Sequence, residues 1–421
     1  MGSSAGPSAS EVPDPGYGEL ELADRRHRRR LQVAAVIAAV VVVLGGLAWL
    51  TDGFSRSPRS VLGSLGPQCP PTISLNGSGS TFLAPLMQKW VSAYAGAAAS
   101  RAQGCVVVQP AYDASNSTSG LAELSVGGTE FVATEEPLSP SAAAALPFPT
   151  VTLPLAVSGV AVAYHLPGVG AGLNLTGAIL AAIYLGSITT WNDAAIATAN
   201  PGVALPASTP ITVIHGAAGS STNFVFTGYL SAVNATWASE VGQGSTVAWP
   251  RGLAANGDAA VASLLDATTG GIAYLGLGPA LAANLTCAQV NNPAGRFVGP
   301  SASSIFAAAS AYTAALPLGN QSWWGVSLLN EPGNTSYPIT TFTYGIVYTD
   351  LGKAYDGALK LNVAQWLAAY LFWMSVAGQN YGTPLGYAPF SQTVTNANKQ
   401  IVELLQYDGA PALGDIDYDG D

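Results

Sequence analysis

Three stretches of the chain share one chemical design: Asn76-Gly-Ser-Gly-Ser-Thr-Phe82, Asp113-Ala-Ser-Asn-Ser-Thr-Ser-Gly120 and Ala218-Gly-Ser-Ser-Thr-Asn-Phe224. Each reads as the end of a strand, a turn of small polar residues and the start of a helix. A helix N-terminus leaves about four backbone N–H groups without intrahelical partners and carries roughly half a positive charge. Small residues let an anion approach that end, and Ser or Thr hydroxyls add donors. Any one of the three alone is a capped helix start. Together, in a chain so poor in cationic side chains, they point to a cleft for an oxyanion beyond the carboxyl ends of the strands.

Other chemistry finds little support. The chain has three histidines, His27, His165 and His215, and no Cys/His/carboxylate spacing that suits a metal. No cofactor motif is present. A Gly-x-Ser-x-Gly match at Gly2–Gly6 lies in a polar tail with no strand before it, so it is not a nucleophile elbow. Glu135 and Glu136 are neighbours at the end of a strand and do not share a face. The acidic stretch Asp415-Ile-Asp-Tyr-Asp-Gly-Asp421 imitates half of an EF-hand loop but lacks its twelfth-position Glu, and reads as a solvated tail. An enzyme is not expected.

The elements that position the three turns are short β-branched runs alternating with Ala/Leu-rich segments of helical length, an α/β pattern with mostly parallel sheets. Strands are expected at Thr72–Asn76, Val106–Tyr112, Phe131–Thr134, Val160–His165, Ile211–Ile214, Gly271–Leu275 and Thr340–Val347. Helices are expected at Ala84–Ala98, Ala178–Leu185, Thr222–Ala232, Ala259–Leu265, Val363–Ala377 and Thr393–Leu405. No internal repeat of fixed period is visible.

Composition narrows the function further. Of 421 residues 49% are apolar and only 9% charged, ample for a core. Net charge is −10, and seven of the 14 Lys and Arg fall before residue 61. A nucleic-acid binder needs clustered positive charge, which the rest of the chain lacks. Leu31–Leu50 is a 20-residue uncharged apolar run, long enough to span about 30 Å of hydrocarbon. Arg25, Arg26, Arg28, Arg29 and Arg30 precede it, placing residues 1–30 in the cytoplasm and the remainder outside. The run exceeds a signal-peptide core and no A-x-A-like site follows it, so it reads as a retained single-pass membrane anchor. Residues 51–68 then form a linker, 69–407 the folded domain and 408–421 an acidic tail. An exterior location agrees with sequons at Asn76, Asn116, Asn174, Asn234, Asn284, Asn320 and Asn334, candidate sites of a glycoprotein. It also permits a Cys69–Cys105 disulfide, should the strands that follow them be parallel neighbours; Cys287 would be left as a buried thiol.

From about Thr72 to Leu405, some 80% of the chain, the sequence resembles the phosphate-binding proteins of ABC importers, extracytoplasmic receptors with a two-lobed periplasmic-binding-protein fold. Gly77-Ser-Gly-Ser-Thr-Phe-Leu-Ala-Pro85, Tyr112 to Gly120 and Phe131-Val-Ala-Thr-Glu-Glu-Pro-Leu-Ser139 are similar to the family's first segments. The more specific matches are Ala181-Ala-Ile-Tyr-Leu-Gly-Ser-Ile-Thr-Thr-Trp-Asn-Asp193 and Gly219-Ser-Ser-Thr-Asn-Phe-Val-Phe-Thr-Gly-Tyr-Leu230. Val241-Gly-Gln-Gly-Ser-Thr-Val-Ala-Trp-Pro250, Gly270-Gly-Ile-Ala-Tyr274 and Tyr337-Pro-Ile-Thr340 follow in order.

The resemblance implies two lobes, about 70–154 with 338–405 and about 155–337, closing on inorganic phosphate and passing it to an ABC permease. It implies ligand contacts from Thr81 and the Phe82 N–H, from Ser117, and from Ser220, Ser221 and Thr222, with Gly the family's residue at Ser221. Glu135 stands where the family has an Asp that accepts the proton of hydrogen phosphate, one methylene longer here. The family's phosphate-binding Arg and its Asp partner are replaced by Gly216 and Ala218, which removes a charge-assisted bond of about 1.5–3 kcal/mol. His215, next to that Arg position, should face the opposite side of its strand. A surface-anchored sensor, adhesin or scaffold that has lost phosphate, or binds another oxyanion, is the alternative.

Overall fold

The computed structural model describes residues 72–101, 107–312 and 314–413. The expected cytoplasmic tail 1–30, the apolar run Leu31–Leu50, the linker 51–68, both Cys69 and Cys105, and the stretch Asp415–Asp421 lie outside the described residues. Among the described residues no helix is long and apolar enough to cross a membrane.

Eight strands form one mixed sheet. They are β1 (Ile73–Gly79), β2 (Val108–Asp113), β3 (Phe131–Thr134), β4 (Thr150–His165), β5 (Thr212–Gly216), β6 (Leu253–Ala255), β7 (Gly271–Gly276) and β8 (Thr340–Tyr348). Their spatial order is β2-β1-β3-β8-β4-β7-β5-β6. Pairing is parallel at both ends of this order, where β1 joins β2 and β3 and where β5 joins β6 and β7. It is antiparallel in the middle, where β8 joins β3 and β4, and β4 joins β7. The expectation of two mostly parallel sheets is therefore corrected to one continuous mixed sheet. The cause is β4: its first half pairs with β8 and its second half with β7, so one strand belongs to both halves of the fold.

All but the two terminal residues of the 16-residue β4 are buried. A strand covered on both faces carries no polar alternation, and Pro154 and Gly159 interrupt its sequence signature, so only Val160–His165 was expected. Pro154 is accommodated because the β8 register shifts between Thr343 and Tyr344 opposite it, and proline is tolerated at a bulge. Its carbonyl accepts from Asn398 Nδ2 at 2.7 Å. Pro110 sits in β2, an edge strand, where a missing N–H costs least.

The helices that matter for the site are α1 (Ala84–Arg101), α2 (Ser117–Ser125), α3 (Gly177–Leu185), α4 (Ser221–Val233) and α5 (Asp258–Asp266). Helices α6 (Leu361–Ser375) and α7 (Gln392–Val402) return the chain to the first half of the sheet. The Trp-Asn-Asp motif has a structural role. Trp191 is fully buried and its Nε1 donates to Gly270 O at 2.9 Å, while Asp193 Oδ1 accepts from Ala195 N at 2.8 Å and starts a short helix. Residues Gln406–Tyr407 and Ala410–Pro411 pair as a hairpin and Ala412 is buried, so the ordered fold runs past residue 407, where the acidic tail was expected to begin.

Candidate functional site

The three polar turns converge. Strand β1 ends at Gly79 and Ser80, and the Phe82 N–H donates back to Ser80 Oγ at 3.1 Å. Helix α2 opens at Asn116, whose Oδ1 accepts from Ser119 N at 2.9 Å, leaving Ser117 at the first helical position. Helix α4 opens at Ser220, which makes no side-chain cap bond, and presents Ser221 and Thr222 in its first turn. Across the cleft Ser117 Oγ donates to Ser221 Oγ at 2.7 Å, and Thr118 Oγ1 donates to Gly219 O at 3.2 Å. Gly219 has φ +82°, and a Cβ there would stand 2.8 Å from Thr118 Oγ1, so this close approach requires glycine.

Glu135 is the hub. It is 1% exposed, and its Oε2 accepts from Ser80 Oγ (2.6 Å) and from Ser221 Oγ, while Oε1 accepts from Thr343 Oγ1 (2.7 Å). These hydrogen bonds favour the charged carboxylate, yet burial dominates and pushes its pKa up to about 7. The longer side chain thus spans the cleft and meets a serine from its far wall. Glu136 is only partly buried and its N–H bonds to Thr134 Oγ1, so the adjacent glutamates do not act as a pair.

A second buried carboxylate was not anticipated. Asp258, 3% exposed, opens α5. Its Oδ1 accepts from Thr222 Oγ1 at 3.2 Å and its Oδ2 from Gly276 N at 2.8 Å, while its own N–H donates to Thr81 Oγ1 at 3.1 Å. Burial raises its pKa to about 6. An acid directly after Gly257, ahead of a helical run, was the available signal; a search for anion donors passes over an acceptor. Ser80 and Thr343 were also missed, the former beside Thr81 and the latter where β8 passes the β4 bulge.

Among the expected site residues, Ser117, Glu135 and Ser221 form one connected cluster, and Thr81 and Thr222 meet at Asp258. Phe82 contributes its N–H locally and packs its ring edge-on to Tyr387, with centroids 6.5 Å apart. Ser220 stands at the α4 cap without a bond to the cluster.

The space beside Gly216, where the resemblance leads one to expect an arginine, is filled by a neutral network. A Cβ on Gly216 would lie 2.3 Å from Asn223 Oδ1. Asn223 Nδ2 donates to the carbonyls of Gly216, Ala217 and Ser245, and its Oδ1 accepts from Tyr274 Oη at 2.5 Å. His215 is buried, stacks on Trp249 with centroids 4.7 Å apart, and has Nδ1 3.0 Å from Gly216 O. Burial lowers its pKa, and its ring faces Trp249 instead of the hydroxyl cluster.

Residues 66–375 match the PBP superfamily domain. The phosphate-binding protein PstS of Xylella fastidiosa is 31% identical over 344 residues, covering 80% of this chain and 85% of that protein. The chain belongs to the PstS family of solute-binding proteins. A second relative, the phosphate-binding protein PstS of Methanocaldococcus jannaschii, is 32% identical over 358 residues, covering 80% of this chain and 87% of its own. Among solved structures, a high-affinity periplasmic phosphate-binding protein, PfluDING, bound with phosphate, superposes with a TM-score of 0.58 at 19% identity, covering 78% of this chain and 93% of that one. That likeness concerns the fold. The family is one of extracytoplasmic solute-binding proteins.

The sequons divide by structure. Asn174 uses its Nδ2 on Ala199 O, and Asn116 and Asn234 use their side-chain oxygens to start helices. Cys287 is half-buried, free, and its thiol is pushed up to about 11 by burial.

Proposed function

We propose that the chain captures inorganic phosphate outside the cytoplasm and hands it to the permease of an ABC importer. The observation that carries this reading is the meeting of five hydroxyls, on Ser80 and Thr81 of the β1–α1 turn and on Ser117, Ser221 and Thr222 at the starts of α2 and α4, around Glu135 and Asp258. Two relatives that the chain covers almost end to end are named for binding phosphate. In this reading Thr81, Phe82, Ser117, Ser220, Ser221 and Thr222 donate to the anion. Glu135 accepts a ligand proton, which sulfate lacks. The lobes, about 70–154 with 338–405 and about 155–337, close by bending where β4 and β8 cross between them.

The anchor belongs to the same reading. Leu31–Leu50 holds the domain to the membrane with residues 1–30 in the cytoplasm and 51–68 as a tether, on the evidence of the apolar run and its preceding arginines. Exposed Asn284, Asn320 and Asn334 are the sequons open to a glycan, whereas Asn76 lies in β1 and donates its Nδ2 to Glu130.

Thr81→Val and Ser117→Ala test the site residues. Each should weaken phosphate binding by about tenfold, the value of one lost hydrogen bond to a charged group. Unchanged affinity in both would move the ligand elsewhere. The alternative of an anchored sensor, adhesin or scaffold is favoured by Gly216 and Ala218, and by hydroxyls that already donate to the protein's own carboxylates; it predicts no phosphate affinity in the unsubstituted chain.

A further inference from the structure

The hydroxyls of the cleft come in two matched neighbour pairs. On the β1–α1 turn, Ser80 Oγ bonds Glu135 and Thr81 Oγ1 meets the Asp258 N–H. At the start of α4, Ser221 Oγ bonds Glu135 and Thr222 Oγ1 bonds Asp258. Each pair therefore bonds one member to the Glu135 carboxylate and the other to Asp258, Thr222 at its carboxylate and Thr81 at its N–H, and the Asp258 charge adds to the burial that raises Glu135. None of the described Lys and Arg side chains bonds to either carboxylate or to these hydroxyls. Arg251 donates to Ile211 O, Lys360 to Gly357 O, and Lys353 pairs with Asp350.

The other titratable groups around the pair are Glu136, raised by burial and hydrogen-bonded by Ser245, and three buried phenols. Tyr112 donates to Ser80 O, Tyr387 to Phe82 O and Tyr274 to Asn223 Oδ1, and burial raises all three. His215 faces Trp249, not the pair. A dianion placed here would meet two carboxylates in a desolvated site with no compensating cation, an arrangement that like-charge repulsion and burial both oppose. A tetrahedral ligand carrying two O–H groups and one charge matches it instead: two O–H donors for two carboxylate acceptors, and two bare oxygens for the hydroxyl and N–H donors.

We infer that Glu135 and Asp258 together select the doubly protonated, singly charged form of the oxyanion, dihydrogen phosphate, over hydrogen phosphate. This rests on the phosphate reading above and deepens it. Whether a given proton sits on a ligand oxygen or on a carboxylate oxygen, the closed complex holds the same number. Binding above neutral pH must therefore take up a proton from solution.

The test is calorimetric titration of inorganic phosphate into the full-length chain in detergent at pH 6, 7 and 8, in two buffers of different ionisation enthalpy. The expected result is an apparent affinity that falls towards tenfold per pH unit above neutral, with a proton taken up per phosphate bound at pH 8. Asp258→Asn keeps an oxygen for the Gly276 N–H but cannot hold a proton or a charge, so it should flatten this slope and bind relatively better at pH 8. Tight binding with no proton uptake and no pH slope overturns the inference while leaving phosphate capture intact, as does an Asp258→Asn variant with an unchanged slope. No phosphate binding at any pH overturns the capture reading and the inference with it.

Discussion

Glu135 and Asp258 are both buried carboxylates, but they are held differently. Glu135 sits at the end of β3 and takes its bonds from side-chain hydroxyls alone, drawn from β1, β8 and, across the cleft, α4. Asp258 accepts from Thr222 and from the backbone of Gly276, both in the part of the fold that carries Asp258 itself, and reaches the other wall only through its own N–H to Thr81. Glu135 is thus the clasp between the two halves. Asp258 is a fixture of one half, anchored by main chain, that the opposite turn comes to meet. Substitutions at Glu135 should disturb closure and ligand together, whereas those at Asp258 should alter what the closed site accepts.

Glu135→Ala should have the largest effect. It strands three buried hydroxyls without an acceptor and leaves a cavity, at a cost of about 2–4 kcal/mol in unfolding free energy. Chemical denaturation would register it as a lower midpoint, and an unchanged midpoint would remove Glu135 from its place as clasp. Gly216→Arg comes next. Restoring the family's residue at this position drives a Cβ into Asn223 Oδ1, so it should lower stability by about 1–3 kcal/mol and bring no gain in phosphate affinity. A tighter-binding, equally stable variant would show that the Asn223–Tyr274 network yields easily.

The third effect is of similar size to the second and is graded by pH. Glu135 has a folded pKa of about 7, above its ordinary value. Between those two values the folded chain holds a proton that the unfolded chain has released, so stability declines as pH rises through that window. The decline should be on the order of 1–3 kcal/mol from about pH 5 to above pH 7. Glu135→Gln should flatten it, and thermal unfolding across this range would reveal a chain that instead gains stability with pH.

The sequence disclosed those parts of the fold whose signals are local. β3 and β7 are compact apolar runs bounded by turn residues, and α4 follows a Gly-Ser-Ser-Thr turn that announces a helix start. The first half of β4 was illegible because its hydrophobicity serves a position covered on both faces, and because Pro154 is excused only by a bulge at Leu155 that exists once β4 pairs with a strand some 190 residues away in sequence. The site divided in the same way. Ser117, Ser221 and Thr222 were visible as turn hydroxyls, and Glu135 through its place after β3. Thr343 and Asp258 were not, since their roles exist only once β8 and α5 are folded against the turns. The loss of the Gly216 side chain was legible in sequence, but its consequence, an Asn223–Tyr274 pair occupying the space, depends on packing.

The central claim is that a cleft of hydroxyls around two buried carboxylates, without a cation, still takes phosphate. The most direct measurement is titration of phosphate and of sulfate into the full-length chain near pH 8, above the folded pKa of Glu135, read by calorimetry. The account predicts micromolar or tighter binding of phosphate and none of sulfate, which brings no proton for Glu135. Silence with both anions, or equal binding of the two, would contradict it.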